Sequence, residues 1–580
     1  MNRLPRSIAL RAAAGVCLLY LPLCAFAADA KKPAATVQQS QLLPAMQKEL
    51  TRAMDSLGKD ASATQPAPYF ISYDVIDDYN TTITAQYGAL LNSTDSHSRS
   101  ADVQIRVGSP AMDNTHDTHR ASALSTVSLP LSDNGDALER SLWFATNRGY
   151  GNALQNFLKV KTEQQVRAKE EDSSPDFSVE KPVTGTVTPV SAETVDRKMW
   201  ESRLRELSAT LRQYPDVFFD VVQLSYNSEN DYYVSSEGST VISPYQLARL
   251  IVVARTRADD GMELFRVQTY EAHGVSGLPT PEKVHADIVG LGQSLEDLRK
   301  APLAEPFSGP AILSGRASAV FFHEVLGHRL EGQRQRGDQE GETFTKDVGR
   351  EILPRFMSVA DDPTLSSFHG VQLSGHYQYD DEGEPARRVD LIQDGVLKTF
   401  LMSRLPIANF SSSNGHGRAQ SGNMPTGRQG NLIVTSSKTV PETELRQMLI
   451  DEAKKQGKPY GLYFEDISSG FAVTQRSSPQ AFSVIPLVVY RVYVDGRPDE
   501  LVRGVSIVGT PQAALKSIVA TGDTQDVFNG ECGAESGTVP VSAVAPAMLM
   551  SEIETERQQQ GTSRPPILPP PAAMGAEVKQ

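Results

Sequence analysis

Cysteine is nearly absent from this chain of 580 residues, which contains only three. Two of them, Cys17 and Cys24, lie within the first 27 residues, so removal of that segment would leave Cys532 alone. A chain with one cysteine cannot form an internal disulfide. Because exported proteins normally use cysteines in pairs, a single one predicts an interchain bridge, a buried side chain or a reactive or metal-binding thiol.

Long apolar runs are also rare, and the clearest one lies near the N-terminus. Residues 1–27 contain three arginines and no acidic residue, include the apolar stretch Ala12–Phe26, and end in Ala25-Phe26-Ala27. This arrangement is typical of a cleaved signal peptide. The stretch is short for a spanning helix, and an uncleaved anchor is the alternative. We therefore expect a periplasmic or secreted protein with no membrane span in the mature chain.

Basic residues are fewer than acidic ones. The chain contains 56 lysines and arginines and 70 acidic residues, which gives a net charge of −14. Removal of the three N-terminal arginines would bring the net charge to −17. An acidic protein is repelled by phosphate groups, which argues against nucleic acid or an anionic membrane as a partner. The sequence also lacks an internal repeat, which argues against a solenoid fold.

The length and the changing pattern of the chain predict an α+β protein of two domains. Residues 41–300 mix helix and strand patterns, whereas residues 301–555 are mostly strand and turn around one helix. The small, polar residues 28–40 predict a disordered lead-in, and the proline-rich residues 556–580 predict a tail. The charged segment 162–192 predicts an exposed loop within the first domain.

Periodicity and turn residues predict the individual elements. Helices are expected at 41–58, 192–213, 281–299 and 317–331, and strands at 69–108, 217–226, 248–273 and 310–315. In the second domain, Asp394-Gly395 and Asp495-Gly496 each lie between β-forming runs. Such pairs favour two-residue hairpins, which makes the second domain mostly β.

The chemistry centres on the run His323-Glu324-Val325-Leu326-Gly327-His328. Side chains five residues apart point about 140° apart on an ideal helix, so two histidines at this spacing cannot face one metal from a regular helix. Gly327 can adopt backbone angles that end the helix before His328. We therefore expect His323 on the last regular turn, His328 on a distorted end, and Glu324 beside them as a general base.

A third ligand is needed for a catalytic zinc site. Cys532 is the first candidate, because a thiolate and two imidazoles form a three-ligand zinc site with an open position. A simple buried cysteine is its alternative. Glu331 and Asp380 could each form a hydrogen bond to a metal-binding histidine and so orient its imidazole ring. The other candidates for the third ligand are Glu331, Glu340, Glu342, His369 and His376.

Four blocks of sequence resemble the TldD/PmbA metallopeptidase family. They are His323–Gly332, Asp380–Gly383, Asn414–Arg418 and Cys532-Gly533. The resemblance implies an N-terminal α+β domain and a mostly β C-terminal domain. It also implies a zinc peptidase in which His323, His328 and Cys532 bind the metal and Glu324 is the base. The family's second subunit type lacks the histidine motif, so this chain resembles the catalytic, TldD-like type.

The function predicted from these residues is that of an exported zinc metallopeptidase. By resemblance, its substrates are unfolded or extended peptides, cleaved inside a closed dimer formed with itself or with a motif-less relative. Arg418 and Arg428 lie in a glycine-rich segment and could bind a peptide carboxylate, although an ordinary loop is the alternative. The Asp380–Gly383 block could likewise be a solvated turn. The competing function is a noncatalytic peptide-binding or scaffold subunit with a structural zinc.

Overall fold

The computed structural model describes most of the chain from Ser40 onward. The described residues are 40–59, 61–62, 65–116, 121, 123–165, 173–186, 188–336, 341–478, 480–558, 564–566 and 568. The expected signal peptide and nearly all of the lead-in lie outside them, as do Glu340 and most of the tail. The location of the protein therefore stays a prediction, and so do the domain boundaries.

Eight strands form the N-terminal sheet, in the order β3-β2-β1-β6-β7-β5, with β4 beside β2 and β8 beside β7. They are β1 (Pro68–Gln86), β2 (Ala89–Ser109), β3 (Met112–Asp113), β4 (Leu124–Ser128), β5 (Thr184–Thr186), β6 (Phe219–Ser235), β7 (Thr240–Arg257) and β8 (Glu263–Ala272). The long β1–β2 hairpin turns at Tyr87-Gly88, where both residues have positive φ, as a tight two-residue hairpin requires.

Four helices cover one face of this sheet, namely α1 (Leu42–Leu57), α2 (Gly135–Gln164), α3 (Arg197–Ala209) and α4 (Pro281–Lys300). One apolar cluster lies under α1 and α2, and another lies under α3 and α4. Because side chains alternate along a strand, the residues between these apolar ones point to the opposite face. That face carries polar side chains, including Asp74, Glu229 and Arg249, which line cavities shared with the C-terminal half.

Twelve strands form the C-terminal sheet, and two short hairpins lie beside it. The strands of this half are β9 (Phe307–Leu313), β10 (Met357–Asp361), β11 (Ser367–Phe368), β12 (Val371–Gln372), β13 (Val389–Gln393), β14 (Val396–Leu397), β15 (Gly417–Arg418), β16 (Thr426–Gly427), β17 (Asn431–Ser436), β18 (Thr439–Val440), β19 (Tyr460–Ala472), β20 (Phe482–Tyr493), β21 (Glu500–Val502), β22 (Val505–Gly509), β23 (Ile518–Ala534) and β24 (Gly537–Arg557). Its helices are α5 (Gly315–Val325), α6 (Glu442–Lys455) and α7 (Pro511–Lys516).

The last strand, β24, joins most of the C-terminal half together. It pairs with β23, β17 and β22, and also with β9, where Met548 lies opposite Leu313. Helix α5 follows directly after β9 and packs against β24, β19 and β23. Its apolar side chains, such as Phe321 and Phe322, are fully buried in the main core of this half. The sheet therefore fixes the helix that carries the histidine motif.

The predicted α+β fold class is confirmed. Three helices were not predicted, namely α2, α6 and the short α7, and the segment expected as an exposed loop differs in its described parts. Helix α2 extends into that segment as far as Gln164, β5 pairs with β7, and Phe177 is buried under the guanidinium group of Arg404. Among the described residues, no helix has both the length and the apolar character needed to span a bilayer.

Candidate metal centre

Helix α5 ends inside the histidine motif. Its N-terminus is capped by Ser314, whose Oγ accepts a hydrogen bond from the Ala317 N–H at 3.1 Å. The regular helix stops at Val325, and Gly327–Leu330 form a separate 3-10 turn. The imidazole rings of His323 and His328 then lie 5.0 Å apart between centroids, with their planes at 73°. The five-residue spacing brings two imidazoles together because the helix is broken between them.

Gly327, which has no side chain, leaves room at this break for a residue from another part of the chain. It does not adopt a positive φ, so backbone freedom is not the reason for a glycine here. A methyl group at this position would overlap the side-chain amide of Gln429. That amide also donates from Nε2 to the His323 carbonyl oxygen at 3.4 Å. Gln429 therefore packs against the end of the helix, a contact that the sequence did not reveal.

The third candidate ligand approaches from a distant strand. Cys532 lies near the end of β23, opposite Val539 of β24, and its Sγ is 3.4 Å from His328 Nε2. Donor atoms of His323, His328 and Cys532 all lie within 4.8 Å of one another, and the three residues are buried. Within the part of the chain that the structure describes, no other group of three such donors is found.

The donor set suits zinc, which is bound by imidazole nitrogen and thiolate sulfur. Burial opposes ionisation of the Cys532 thiol, but the charges of His328 and His323 outweigh it and hold the pKa of the thiol well below its ordinary value. The ionised thiol is the form that binds metal. His323 Nδ1 is buried and has no hydrogen-bond partner among the described residues, which leaves it available to an ion or a water.

Glu324 lies between this group and a cavity. Its Oε2 is 3.9 Å from His328 Nε2, and its side chain is mostly buried. The cavity has a volume of about 260 Å³, and both Glu324 and His323 line it. The C-terminal half supplies further wall residues from β19 and β23, whereas the N-terminal sheet supplies residues from β7 and β8. A ligand in this cavity would therefore lie directly beside Glu324.

Glu331 lies within hydrogen-bond distance of the second histidine. Its Oε1 is 3.1 Å from His328 Nδ1, and its Oε2 accepts a hydrogen bond from Arg334 Nε at 2.7 Å. Burial would raise the pKa of Glu331, but His328 and Arg334 lower it to about 2. An ionised Glu331 can accept a hydrogen bond from the protonated Nδ1 of His328. The other ring nitrogen, Nε2, is then free to bind a metal on the side of Cys532.

Replacement of Glu331 by glutamine is expected to weaken zinc binding by about 10- to 100-fold, because the His328 imidazole loses its charged partner. Competition with a chromophoric chelator measures this change. The control is Glu351→Gln, because Glu351 is an exposed glutamate of the same half. This variant should bind zinc like the wild type. Equal zinc affinity in both variants would contradict the orienting role of Glu331.

Two arginines and one aspartate that were expected at the site have other partners. Arg428 is fully buried and donates to the Cys532 carbonyl oxygen at 2.6 Å, so it fixes the ligand strand. Arg418 donates to the carbonyl oxygens of Gln429 and Pro540. Asp380 accepts hydrogen bonds from three backbone N–H groups of its own turn and of Gly417, and from no imidazole among the described residues. The structure thus gives these side chains structural contacts instead of the substrate and imidazole contacts that were expected.

The remaining candidate ligands lie apart from the metal group. His376 is 2.8 Å from the Pro363 carbonyl oxygen through Nδ1 and stacks on His273. The ring of His369 lies 4.2 Å from that of Phe368, where a hairpin turns, and Glu342 has a positive φ in a loop. None of them belongs to the group formed by His323, His328 and Cys532. Glu340 lies outside the described residues.

A second feature of the polar sheet face is a cluster of acidic side chains. Asp74, Asp102, Glu229, Asp231 and Asp381 line a small cavity of about 60 Å³. Burial, together with Asp231 and Asp78, raises the pKa of Glu229 to about 8. Burial, opposed by Arg418, raises the pKa of Asp381 to about 7. These carboxyl groups therefore hold protons in the folded protein at pH values where they would lose them in the unfolded chain.

The fold is expected to lose stability as the pH rises. A raised carboxyl pKa stabilises the native state fully below the ordinary value, and that stabilisation disappears as the pH rises through the folded-state pKa. Glu229→Gln removes this contribution, so the variant should melt about 2 °C or more above the wild type at pH 9 and lose less stability between pH 6 and pH 9. Thermal melts across that range test it. Glu206→Gln, at an exposed position of α3, is the control.

Comparisons with known proteins find similarity that is concentrated in the C-terminal half. Residues 307–557 match the family model described as the PmbA/TldA metallopeptidase C-terminal domain. The Metalloprotease TldD homolog of Haemophilus influenzae is 27% identical over 252 residues, which are 42% of this chain and 47% of that protein. The Zinc metalloprotease TldD homolog of Saccharolobus solfataricus is 24% identical over 363 residues, which are 61% of this chain and 73% of that protein. The chain spans about half the length of several curated relatives that it matches.

A solved structure extends the similarity to both halves of the fold. TldE from Thermococcus kodakarensis superposes with a TM-score of 0.56, covering 88% of this chain and 100% of that one. At 13% identity this similarity establishes the fold alone. It nevertheless includes the N-terminal sheet and its helices, which the family model does not reach.

These comparisons correct the predicted function. An exported zinc metallopeptidase of unfolded peptides was expected, whereas the relatives are metalloproteases of the TldD type and the solved neighbour is TldE. Their names support a peptidase role of the family. They give no support to the prediction that the protein is exported. Zinc appears in the name of one relative, and the donor set of this chain is consistent with it. Residues 307–557 therefore match the C-terminal domain of the PmbA/TldA metallopeptidases, and the chain is similar to curated metalloproteases of the TldD type.

Proposed function

We propose that the chain is a zinc-dependent peptidase in which His323, His328 and Cys532 hold the ion and Glu324 is the general base. The observation that carries this proposal is the position of Glu324. Its carboxylate is 3.9 Å from a candidate ligand atom, His328 Nε2, and it lines a cavity large enough for part of a peptide. A general base must lie within reach of the water whose proton it takes.

Zinc, when bound here, would polarise a carbonyl group and lower the pKa of a bound water to about 7. The protein's own contribution is the transfer of protons. Glu324 accepts a proton from the attacking water as its oxygen bonds to the scissile carbonyl carbon. Glu324 then delivers that proton to the departing nitrogen as the C–N bond breaks, so the carboxylate returns to its starting state.

A structural zinc in a noncatalytic subunit is the second candidate. Structural zinc sites are normally closed by four protein ligands. The described residues bring three donors together, and the open side faces Glu324 and the cavity. This arrangement favours the catalytic proposal over the structural one.

The test is peptide cleavage that depends on metal. The purified chain is incubated with unstructured peptides, and the products are identified by mass spectrometry before chelation, after chelation and after zinc is returned. We expect cleavage that is lost with the metal and restored with zinc. Cleavage that survives complete removal of the metal would contradict the proposal. Stoichiometric zinc without cleavage would favour the structural role or a missing partner subunit.

A second subunit is part of the proposal. The similarity to TldE over most of the chain supports pairing with a motif-less relative of that type, and a homodimer is the alternative. Native mass spectrometry of the purified chain, alone and mixed with such a relative, distinguishes the two. A chain that is monomeric and remains so in the mixture would exclude both.

A further inference from the structure

The cavity beside Glu324 has one wall that the motif does not supply. Strands β7 and β8 of the N-terminal sheet place Arg249 and Glu271 there, together with Ile251, Val267 and Thr269. These residues lie on the polar face of the sheet, opposite the helices. A substrate in the cavity would therefore contact the N-terminal sheet on one side and the metal centre on the other.

Arg249 is held rigidly on this wall. Its Nε donates to Glu271 Oε1 at 2.5 Å, and its Nη1 pairs with the carboxylate of Glu531, which immediately precedes Cys532. The Arg249 side chain is 10% exposed and that of Glu271 is 2% exposed. Two carboxylates thus fix the plane of the guanidinium group at the edge of the cavity.

The third nitrogen of this group lacks a partner. Arg249 Nη2 is buried, and among the described residues nothing accepts a hydrogen bond from it. Buried donors are normally satisfied, because leaving one unpaired costs free energy. Because the Arg249 side chain lines the cavity, a ligand that fills the cavity beside it can supply the missing acceptor.

The charges around Arg249 indicate what kind of acceptor fits. The positive charge of Arg249 is already balanced by Glu271 and Glu531. The other arginine of the walls, Arg316, is paired with Asp466, and Glu324 adds a third carboxylate to the same walls. An anionic ligand would be repelled by this excess of negative charge. A neutral oxygen can accept from Nη2 without that penalty, and the carbonyl oxygen of a peptide bond is such an acceptor. The apolar wall residues, including Val320, Leu487 and Phe528, would contact the neighbouring side chains.

We propose that Arg249 binds the substrate, donating from Nη2 to a backbone carbonyl oxygen of a peptide that lies in the cavity beside Glu324. This inference rests on the proposed peptidase function. It makes the N-terminal sheet part of the substrate site and defines the substrate class there as an uncharged stretch of peptide. Acidic side chains are disfavoured at this subsite.

The test compares Arg249→Lys with the wild type, each also in the Glu324→Gln background. Lysine keeps a positive charge for Glu271 and Glu531 but lacks the third nitrogen. Arg255→Lys is the matched control, because Arg255 lies on the same strand, is half-exposed and does not line the cavity. Binding of an unstructured, uncharged peptide to the Glu324→Gln proteins is measured by calorimetry, and zinc content is measured in parallel.

We expect Arg249→Lys to weaken peptide binding about tenfold or more, since a hydrogen bond from a charged donor is lost. Its KM should rise by a similar factor, whereas its zinc content and that of Arg255→Lys should match the wild type. Unchanged peptide affinity in Arg249→Lys would overturn the inference, as would a loss of affinity explained by lost zinc. Absence of cleavage by the wild type would instead count against the peptidase function, because the calorimetry does not require turnover.

Discussion

Replacement of Glu324 by glutamine is expected to slow peptide hydrolysis by about 100- to 10,000-fold, the usual contribution of a general base. Glutamine has nearly the same shape as glutamate but cannot accept a proton from water. The three metal donors are untouched by this change, so the variant should retain stoichiometric zinc. Steady-state rates with a cleaved peptide, together with metal analysis of the same samples, measure both quantities.

The result separates this site from a contaminating peptidase, since a contaminant would be equally active in both preparations. It also separates catalysis from structure. A variant that keeps full activity would show that Glu324 is not the base. A variant that loses activity together with zinc would show that its carboxylate is needed to hold the metal, and the mechanism would then require another base.

Replacement of Cys532 by serine is expected to weaken zinc binding by more than about 100-fold, because loss of an orienting partner alone costs 10- to 100-fold. A ligand that binds only the native state stabilises it by an amount that grows with the logarithm of its concentration relative to Kd, so zinc at about a thousand times Kd would add roughly 4 kcal/mol. Thermal melts with and without zinc therefore measure the change. The wild type should melt at a higher temperature with zinc, and Cys532→Ser should show little difference.

Glu324→Gln is the matched comparison for this experiment, because it should keep the stabilisation by zinc and lose the activity. The opposite pattern, in which Cys532→Ser retains the zinc-dependent rise in melting temperature, would exclude the thiol as a ligand. One of the carboxylates nearby, with Glu331 the first to examine, would then have to take its place.

The histidine motif shows which parts of the site can be predicted from the sequence. Helix geometry requires a break between His323 and His328, and the glycine before His328 marks its position. The reason for the glycine was not visible, because it depends on Gln429, about 100 residues away in sequence. Local geometry can be predicted from local sequence, whereas a packing partner supplied by another part of the chain cannot.

The arginines of the glycine-rich segment illustrate the same limit. Arg418 and Arg428 have the chemistry of carboxylate binding, and a loop sequence suggests exposure. The structure buries both and directs them to backbone carbonyl oxygens. Arg249, which lines the cavity, gave no signal because it lies on an ordinary alternating strand. Its position follows from the pairing of β7 with β8 and from the packing of that sheet on the other half.

Helix α2 was missed for a different reason. It contains Gly149 and Gly151 and exposes Trp143 and Phe144, so its apolar residues do not fall on a single clear face. Gly149 lies against Ile105 of β2, where a larger residue would press on the sheet. Tertiary packing compensates here for weak helical propensity, which a reading of one segment at a time cannot detect.

The pairing of β24 with β9 has a consequence for the synthesis of the protein on the ribosome. The two histidines follow β9 directly, whereas the cysteine precedes β24 by a short hairpin and lies 204 residues after His328. A growing chain therefore presents two donors long before the third exists, and any ion captured early is held by two imidazoles alone. The third donor lies on β23, whose partner strand β24 is the last strand of the chain and also pairs with β9. Under the proposed function, a chain truncated before β23 would lack the third donor, so loading with metal would depend on synthesis of the last strands.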